Sequence, residues 1–298
     1  METADSERVR DVLREAIEST EMESVRELLS GSARHSPTEW LERYLVDPTE
    51  LAGLRGSPCF GEQQVERFLL AAAALANLDA AMAQPLDLRV QALRLAEFEL
   101  YAAPDRRRRS LFTVASQTFR SACEVVLLQR FPAGQLHWNL SGLSRRDIAR
   151  VPLRQMPAFL SFLAFTFGGR GPVFFSHVNG LRKNRFIWLE QESNESYQRM
   201  AWCMSLQPKI LGLVTRSWFH DPFIAQASPH LEWVNRVILE NGGRVVRNGS
   251  AGTDSGFLEN NGARRAAYEA GSYQPYYGLV AWPREAMIAW ADRYPVIA

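Results

Sequence analysis

The chain has 298 residues, 46% hydrophobic and 22% charged, with a formal net charge of +1. This ordinary globular composition suits one large domain or two of typical size, and it supplies no whole-molecule field toward nucleic acid or an anionic membrane. Three dispersed cysteines, Cys59, Cys123 and Cys203, argue against a disulfide framework and against a thiolate zinc site.

The acidic start, Met1 to Asp5, leads into an amphipathic helix and does not read as a signal peptide. The longest apolar run, Phe68 to Leu78, falls short of the roughly 20 residues that a bilayer span requires. A cytoplasmic protein is expected, with a small-molecule substrate, no membrane partner and no nucleic acid. Lys183 and Lys209 are the only lysines. That arginine bias reads as bacterial-like genome composition and leaves few candidates for a Schiff-base or phosphate-loop lysine.

The first third reads as helices. Val9, Val12, Leu13, Ala16 and Ile17 recur at helical spacing, and Thr20 with Glu23 has the form of a capping box. Ser36-Pro37-Thr38-Glu39 is a stronger start, with serine at the cap, proline at the first helical position and glutamate able to reach back. Trp40, Leu41, Tyr44 and Leu45 form its buried stripe. Two longer helices follow, about 61–83 and 86–102, separated by Gln84-Pro85. Four alanines, Ala71 to Ala74, allow close helix packing. A boundary is expected at Pro104, giving a helical region 1–104 and a catalytic α/β region 105–298. The Arg106 to Arg109 run then lies in a solvated connection.

Beyond Pro104, residues 122–131 read as an apolar strand ending at Pro132, with 136–140 as its hairpin partner. Residues 152–167 are a buried helix or a strand, since periodicity does not separate the two. Gly168-Gly169-Arg170-Gly171-Pro172 forces a turn. Strands at 173–178, 210–219, 244–247 and 276–282 then alternate with helices at 194–206, from Ser228-Pro229 to Gly242, at 263–270 and from Pro283 to Trp290. The fold class is α/β or α+β: a helical third followed by a mixed central sheet flanked by helices. The Gly-, Ser- and Asn-rich stretch 248–261 has the length of a binding loop or lid.

The candidate chemistry falls after residue 170. His177 ends one strand, His220 with Asp221 follows the next, and His230 opens a helix, all where ligands gather at the carboxyl ends of strands. A two-histidine, one-carboxylate site for non-haem iron could be drawn from His177, His220 and Asp221, or with Glu190 or Glu192, although no HxxxH, HExxH or HxD spacing supports it. Cys203 and Cys123 sit in apolar settings. No G-x-S-x-G elbow, Walker loop or dinucleotide fingerprint is present. Arg185, Arg216 and Trp218 belong to an arginine- and tryptophan-rich stretch suited to holding an anionic or planar group.

The segment Asn261-Gly262-Ala263-Arg264-Arg265-Ala266-Ala267-Tyr268-Glu269-Ala270-Gly271-Ser272-Tyr273, followed by a strand, resembles the last helix and strand of GNAT-type acyltransferases. The resemblance covers about a tenth of the chain. It implies a GNAT-like sheet, a thioester donor (acyl-CoA or an acyl carrier protein) and Tyr268 as proton donor to the leaving thiolate. The family's pyrophosphate loop has no counterpart at Ser217 to Pro222, which points to a carrier other than coenzyme A or to a different fold. The first expectation is therefore acyl transfer to an amine or hydroxyl, with His177 or Glu190 as general base, Tyr268 as acid and Arg216 on an anionic group. The alternatives are a metal-dependent oxygenase or hydrolase using His177, His220 and Asp221, and a non-catalytic scaffold whose helical third is the partner surface.

Overall fold

The computed structural model describes residues 2–19, 23, 25, 35–51, 64–103, 117–178, 189–251 and 262–294. Most of the Thr20–Glu23 box, the Arg106–Arg109 run, Arg185 and the greater part of the 248–261 stretch lie outside them. The chain divides into two compact units, residues 1–137 with 178–187, and residues 138–177 with 188–298.

The first unit is built on helices α1 (Glu2–Glu18), α2 (Pro37–Val46), α3 (Gln64–Ala83), α4 (Leu88–Ala102) and α5 (Gln117–Val126). Helix α2 begins as its sequence predicts: Ser36 accepts from the Glu39 backbone and Glu39 reaches back to the Ser36 N–H. Buried residues run almost all round α3, including Leu69, Ala71, Ala73, Ala74 and Leu78, so it is the central helix of this unit. Two polar groupings enter this core with partners. Glu97 joins His137 at 2.9 Å to the Tyr101 hydroxyl at 3.0 Å, and Arg130 is held by Glu124 and Ser121.

Of residues 122–131, expected as a strand, only Arg130 and Phe131 are in one; 122–129 are the end of α5 and a turn. Phe119, Ala122, Cys123 and Val126 are buried at helical spacing against the core of this unit. Leu128 then takes a left-handed φ of 58°, and the Gln129 N–H reaches back to the Glu124 carbonyl, closing the helix. The run is apolar enough for either structure, and burial on one side of a helix decided it. Strand β1 (Arg130–Pro132) follows and turns into β2 (Leu136–Gly142).

In the second unit, β2 is followed by α6 (Arg145–Ala149), α7 (Met156–Phe162), β3 (Pro172–Val178), α8 (Glu190–Ser205), β4 (Gly212–Ser217), α9 (Trp233–Glu240), β5 (Arg244–Ser250), α10 (Gly262–Glu269), β6 (Tyr276–Pro283) and α11 (Arg284–Arg293). The strands lie side by side in the order β2-β3-β4-β6-β5. β3 and β4 are parallel, while β6 runs antiparallel to both β4 and β5. The sheet is therefore mixed and carries helices, as the α/β reading of the sequence requires.

Strand alternation sorts the two faces. On one face Val173, Val214, Val246, Leu279 and Ala281 meet Phe159, Leu163 and Phe167 of α7 and the π turn that continues it. On the other, Trp282 packs edge-on to Tyr197 of α8 and beside Trp290 of α11. Gln198 ties those two helices together by donating to the Ala291 and Tyr294 carbonyls at 3.0 Å.

Gly278 of β6 lets the short 218–220 turn lie directly on the sheet, because a Cβ there would stand 1.9 Å from the His220 carbonyl oxygen. Neither backbone can yield without breaking pairing. Gly278→Ala is expected to destabilise the protein by about 2–3 kcal/mol, read as a lowered urea midpoint, because overpacking against fixed backbone has few ways to relax.

Candidate functional site

β3 and β4 are paired for only a short distance. Their registered partners are Phe174 with Leu213 and Phe175 with Val214, whereas β4 pairs with β6 at six successive positions. Beyond Phe175 the Thr215 hydroxyl donates to the Ser176 carbonyl at 3.2 Å, a side-chain link in place of a ladder bond. The ladder between the parallel strands thus stops short of their carboxyl ends, where ligands collect in open α/β sheets.

Two of the sequence candidates project from one face at that opening. His177 lies two residues beyond Phe175, and Arg216 two beyond Val214, and both apolar residues belong to the same cluster. The half-buried His177 ring meets Asn139 of β2 through Nε2, 2.8 Å from Oδ1, and rests beside Phe175. In the neutral ring that contact assigns the proton to Nε2 and the lone pair to Nδ1, the form a general base needs.

Arg216 is held in place. Its Nε donates to Asn248 Oδ1 at 2.6 Å and its Nη2 to the Asn248 carbonyl at 3.2 Å. Its guanidinium stacks on Tyr277, 3.9 Å from the ring centre, with Asp147 also at 3.9 Å. Asn248, fully buried, donates in turn to the Asp147 carbonyl. Burial lowers the Arg216 pKa, and Arg150 and Arg146 lower it further, against the opposing pull of Asp147. A guanidinium crowded by like charges is stabilised by an arriving anion.

His220 and Asp221 belong to a different place. The His220 backbone lies over Gly278, whose neighbours on that face of the strand are Tyr276 and Val280, away from Tyr277 and Leu279. Its ring is buried, Nδ1 meets Asn235 Oδ1 at 2.9 Å, and burial pushes its pKa down to about 4. Asp221 is wholly buried. It accepts from the Tyr273 hydroxyl at 2.6 Å, the Tyr276 N–H at 3.1 Å, the Phe223 N–H at 3.2 Å and Arg247 Nε at 3.3 Å. Burial first, and this carboxylate second, raise the Tyr273 phenol well above its usual range, so it remains a donor. Arg247 is sandwiched between Phe223 and Tyr276, 4.5 and 4.2 Å from the ring centres.

This arrangement corrects the expected metal triad. A carboxylate with four donors and an imidazole sealed against an asparagine have no coordination to offer. Among the described residues, no group of three or more His, Cys, Asp or Glu side chains is placed to hold a metal ion. The three downstream histidines likewise do not share one hollow. His177 faces the strand opening, His220 is enclosed, and His230 is exposed at its helix start.

Glu190, in the first turn of α8, pairs with Arg236 at 2.9 Å. Trp218 carries the Arg264 guanidinium 4.5 Å above its ring. Tyr268 is half-buried on α10, whose Ala267 packs with Trp218, Ile224, Leu231 and Tyr273. Asn139, Asn248, Asp147 and Tyr277, which position His177 and Arg216, escaped the sequence reading. The one available signal was an asparagine inside each of two strands, residues that disfavour strands unless their side chains have partners.

No family model matches the sequence, and no curated protein matches it. The chain is similar to an acyltransferase solved in complex with decanoyl-CoA, at 16% identity and a TM-score of 0.48. It is also similar to a mutant acyltransferase in complex with octanoyl-CoA, at 15% identity and a TM-score of 0.42. Each alignment covers 93% of this chain and 88% of the other.

Two stability predictions follow from the enclosed cluster. His220 has its pKa lowered in the fold, so the unfolded chain binds the extra proton between about pH 6.5 and 4. Stability is then complete above pH 6.5 and falls by up to ~3 kcal/mol as pH drops to 4. His220→Asn should remove that part of the slope in urea titrations at stepped pH. Asp221→Asn strips the ion pair from Arg247 and mismatches the surrounding donors. A loss of roughly 2–3 kcal/mol is expected in the same measurement.

Proposed function

We propose that the second unit transfers an acyl group from a thioester donor to an amine or hydroxyl of a small molecule, at the opening between β3 and β4. The observation that carries this reading is the short ladder between two parallel strands, with His177 and Arg216 on one face beyond its end. Strands beyond the end of a ladder present backbone donors and acceptors that their neighbour no longer pairs. The amide-bearing arm of acyl-CoA, or of a carrier-protein thioester, is an extended chain that can pair with such an edge as an added strand does.

In this proposal His177, oriented by Asn139, takes the proton from the acceptor's amine or hydroxyl as that atom attacks the thioester carbonyl. The C–S bond then breaks, and the leaving thiolate takes a proton from the Tyr268 hydroxyl. Arg216, already fixed by Asn248 and Tyr277, holds an anionic group of the substrate without having to be ordered on binding. Glu190, engaged by Arg236, is set aside as the base.

Thiol release tests the proposal, with short-, medium- and long-chain acyl-CoAs and with acylated carrier protein as separate arms. His177→Gln is expected to lower kcat by about a hundredfold or more, the contribution of a positioned base, with KM for the thioester little changed. Arg216→Lys, which loses the fork that engages Asn248, should raise KM for the acceptor. Absence of turnover with every donor, or full activity of His177→Gln, overturns it.

A further inference from the structure

From Gln155 to Gly169 the chain carries no charged residue. This stretch contains α7 and the π turn Leu163–Phe167. Its inner side, Phe159, Leu163 and Phe167, is buried in the sheet's apolar cluster. The outer side is uncharged and largely apolar, with Ala158, Leu160 and Ala164 exposed beside Ser161 and Thr166, and Phe165 88% exposed; Leu153, just before it, is 86% exposed. A helical segment with large apolar side chains on both sides is stable when both are covered, and here Leu160 and Phe165 are exposed.

The charges flanking it in the sequence are basic but for one. Arg145, Arg146, Arg150 and Arg154 precede the stretch and Arg170 follows it, all exposed, with Asp147 as the one acidic residue from 144 to 170. Two copies meeting through this surface would set five arginines against five, since a two-fold contact places a patch on itself. The exposed side chains protrude as a ridge, which a fluid apolar phase accepts without a matching groove.

We infer that this ridge docks the protein on an anionic lipid bilayer, with Leu153, Leu160 and Phe165 entering the acyl boundary and the flanking arginines at the level of the lipid phosphates. No helix among the described residues is long and apolar enough to cross a membrane, so the contact is peripheral. It arises from a local field, which the net charge of +1 conceals. The inference is independent of the acyl-transfer proposal and would survive its failure.

Co-sedimentation of the full chain with phosphatidylcholine vesicles, with and without phosphatidylglycerol, tests it. Binding is expected to be about tenfold or more tighter on the anionic vesicles and to weaken as salt is raised. Leu153→Ser with Phe165→Ser should cut that affinity by about tenfold or more. Arg145→Glu with Arg154→Glu should abolish the preference for anionic lipid. All four side chains are exposed, and unchanged thermal melting separates lost docking from lost folding. Failure to bind either vesicle, equal binding to both, or binding unmoved by both double variants overturns the inference. An outcome in which the ridge instead captures an acidic carrier protein overturns it as well.

Discussion

The carboxyl end of β4 depends on one buried carboxylate. Asp221 gathers donors from the segment leaving β4, from Arg247 of β5 and from Tyr273 and Tyr276 at the start of β6. An ionised carboxylate out of water is tolerable only with that many partners, and meeting the need locks three strands at one end. β4 is thereby committed to β6 along its length. The short ladder falls on its other edge, toward β3.

This commitment leaves the two faces of the sheet differently occupied. The enclosed face holds His220 bonded to Asn235, and Asp221 bonded to Arg247. The other face presents His177 and Arg216, each aligned by an asparagine, at the opening between the parallel strands. Both groups of residues lie near the carboxyl ends of β3 and β4. Burial distinguishes them: His220 and Asp221 are enclosed, whereas His177 and Arg216 are only partly buried.

Much of the architecture is legible in the chain because local chemistry and tertiary context agree. Ser36, Pro37 and Glu39 predict the start of α2 and cap it in the structure. The apolar Val173–Phe175 run before His177 and the Tyr276–Trp282 segment are strands as their patterns require. The reading fails where one pattern serves two structures. Residues 122–126 are apolar enough for a strand, and their helix is decided by packing against distant parts of the first unit. Proximity in sequence also made His220 and Asp221 look like a reactive pair, while the partners that occupy them, Asn235, Arg247 and Tyr273, lie 14 to 52 positions away.

The sequence alone determined the succession of helices and strands, the mixed α/β class and the stretch after residue 170 in which polar chemistry is concentrated. These follow from periodicity, caps and turn residues, which act over a few positions. The tertiary structure decided which histidine is enclosed and which meets the strand opening, and that Arg216 is held by Asn248 and Tyr277. It also decided that the outer side of α7 stays uncovered. Those outcomes depend on strand order and on contacts between distant residues, and no local pattern encodes them.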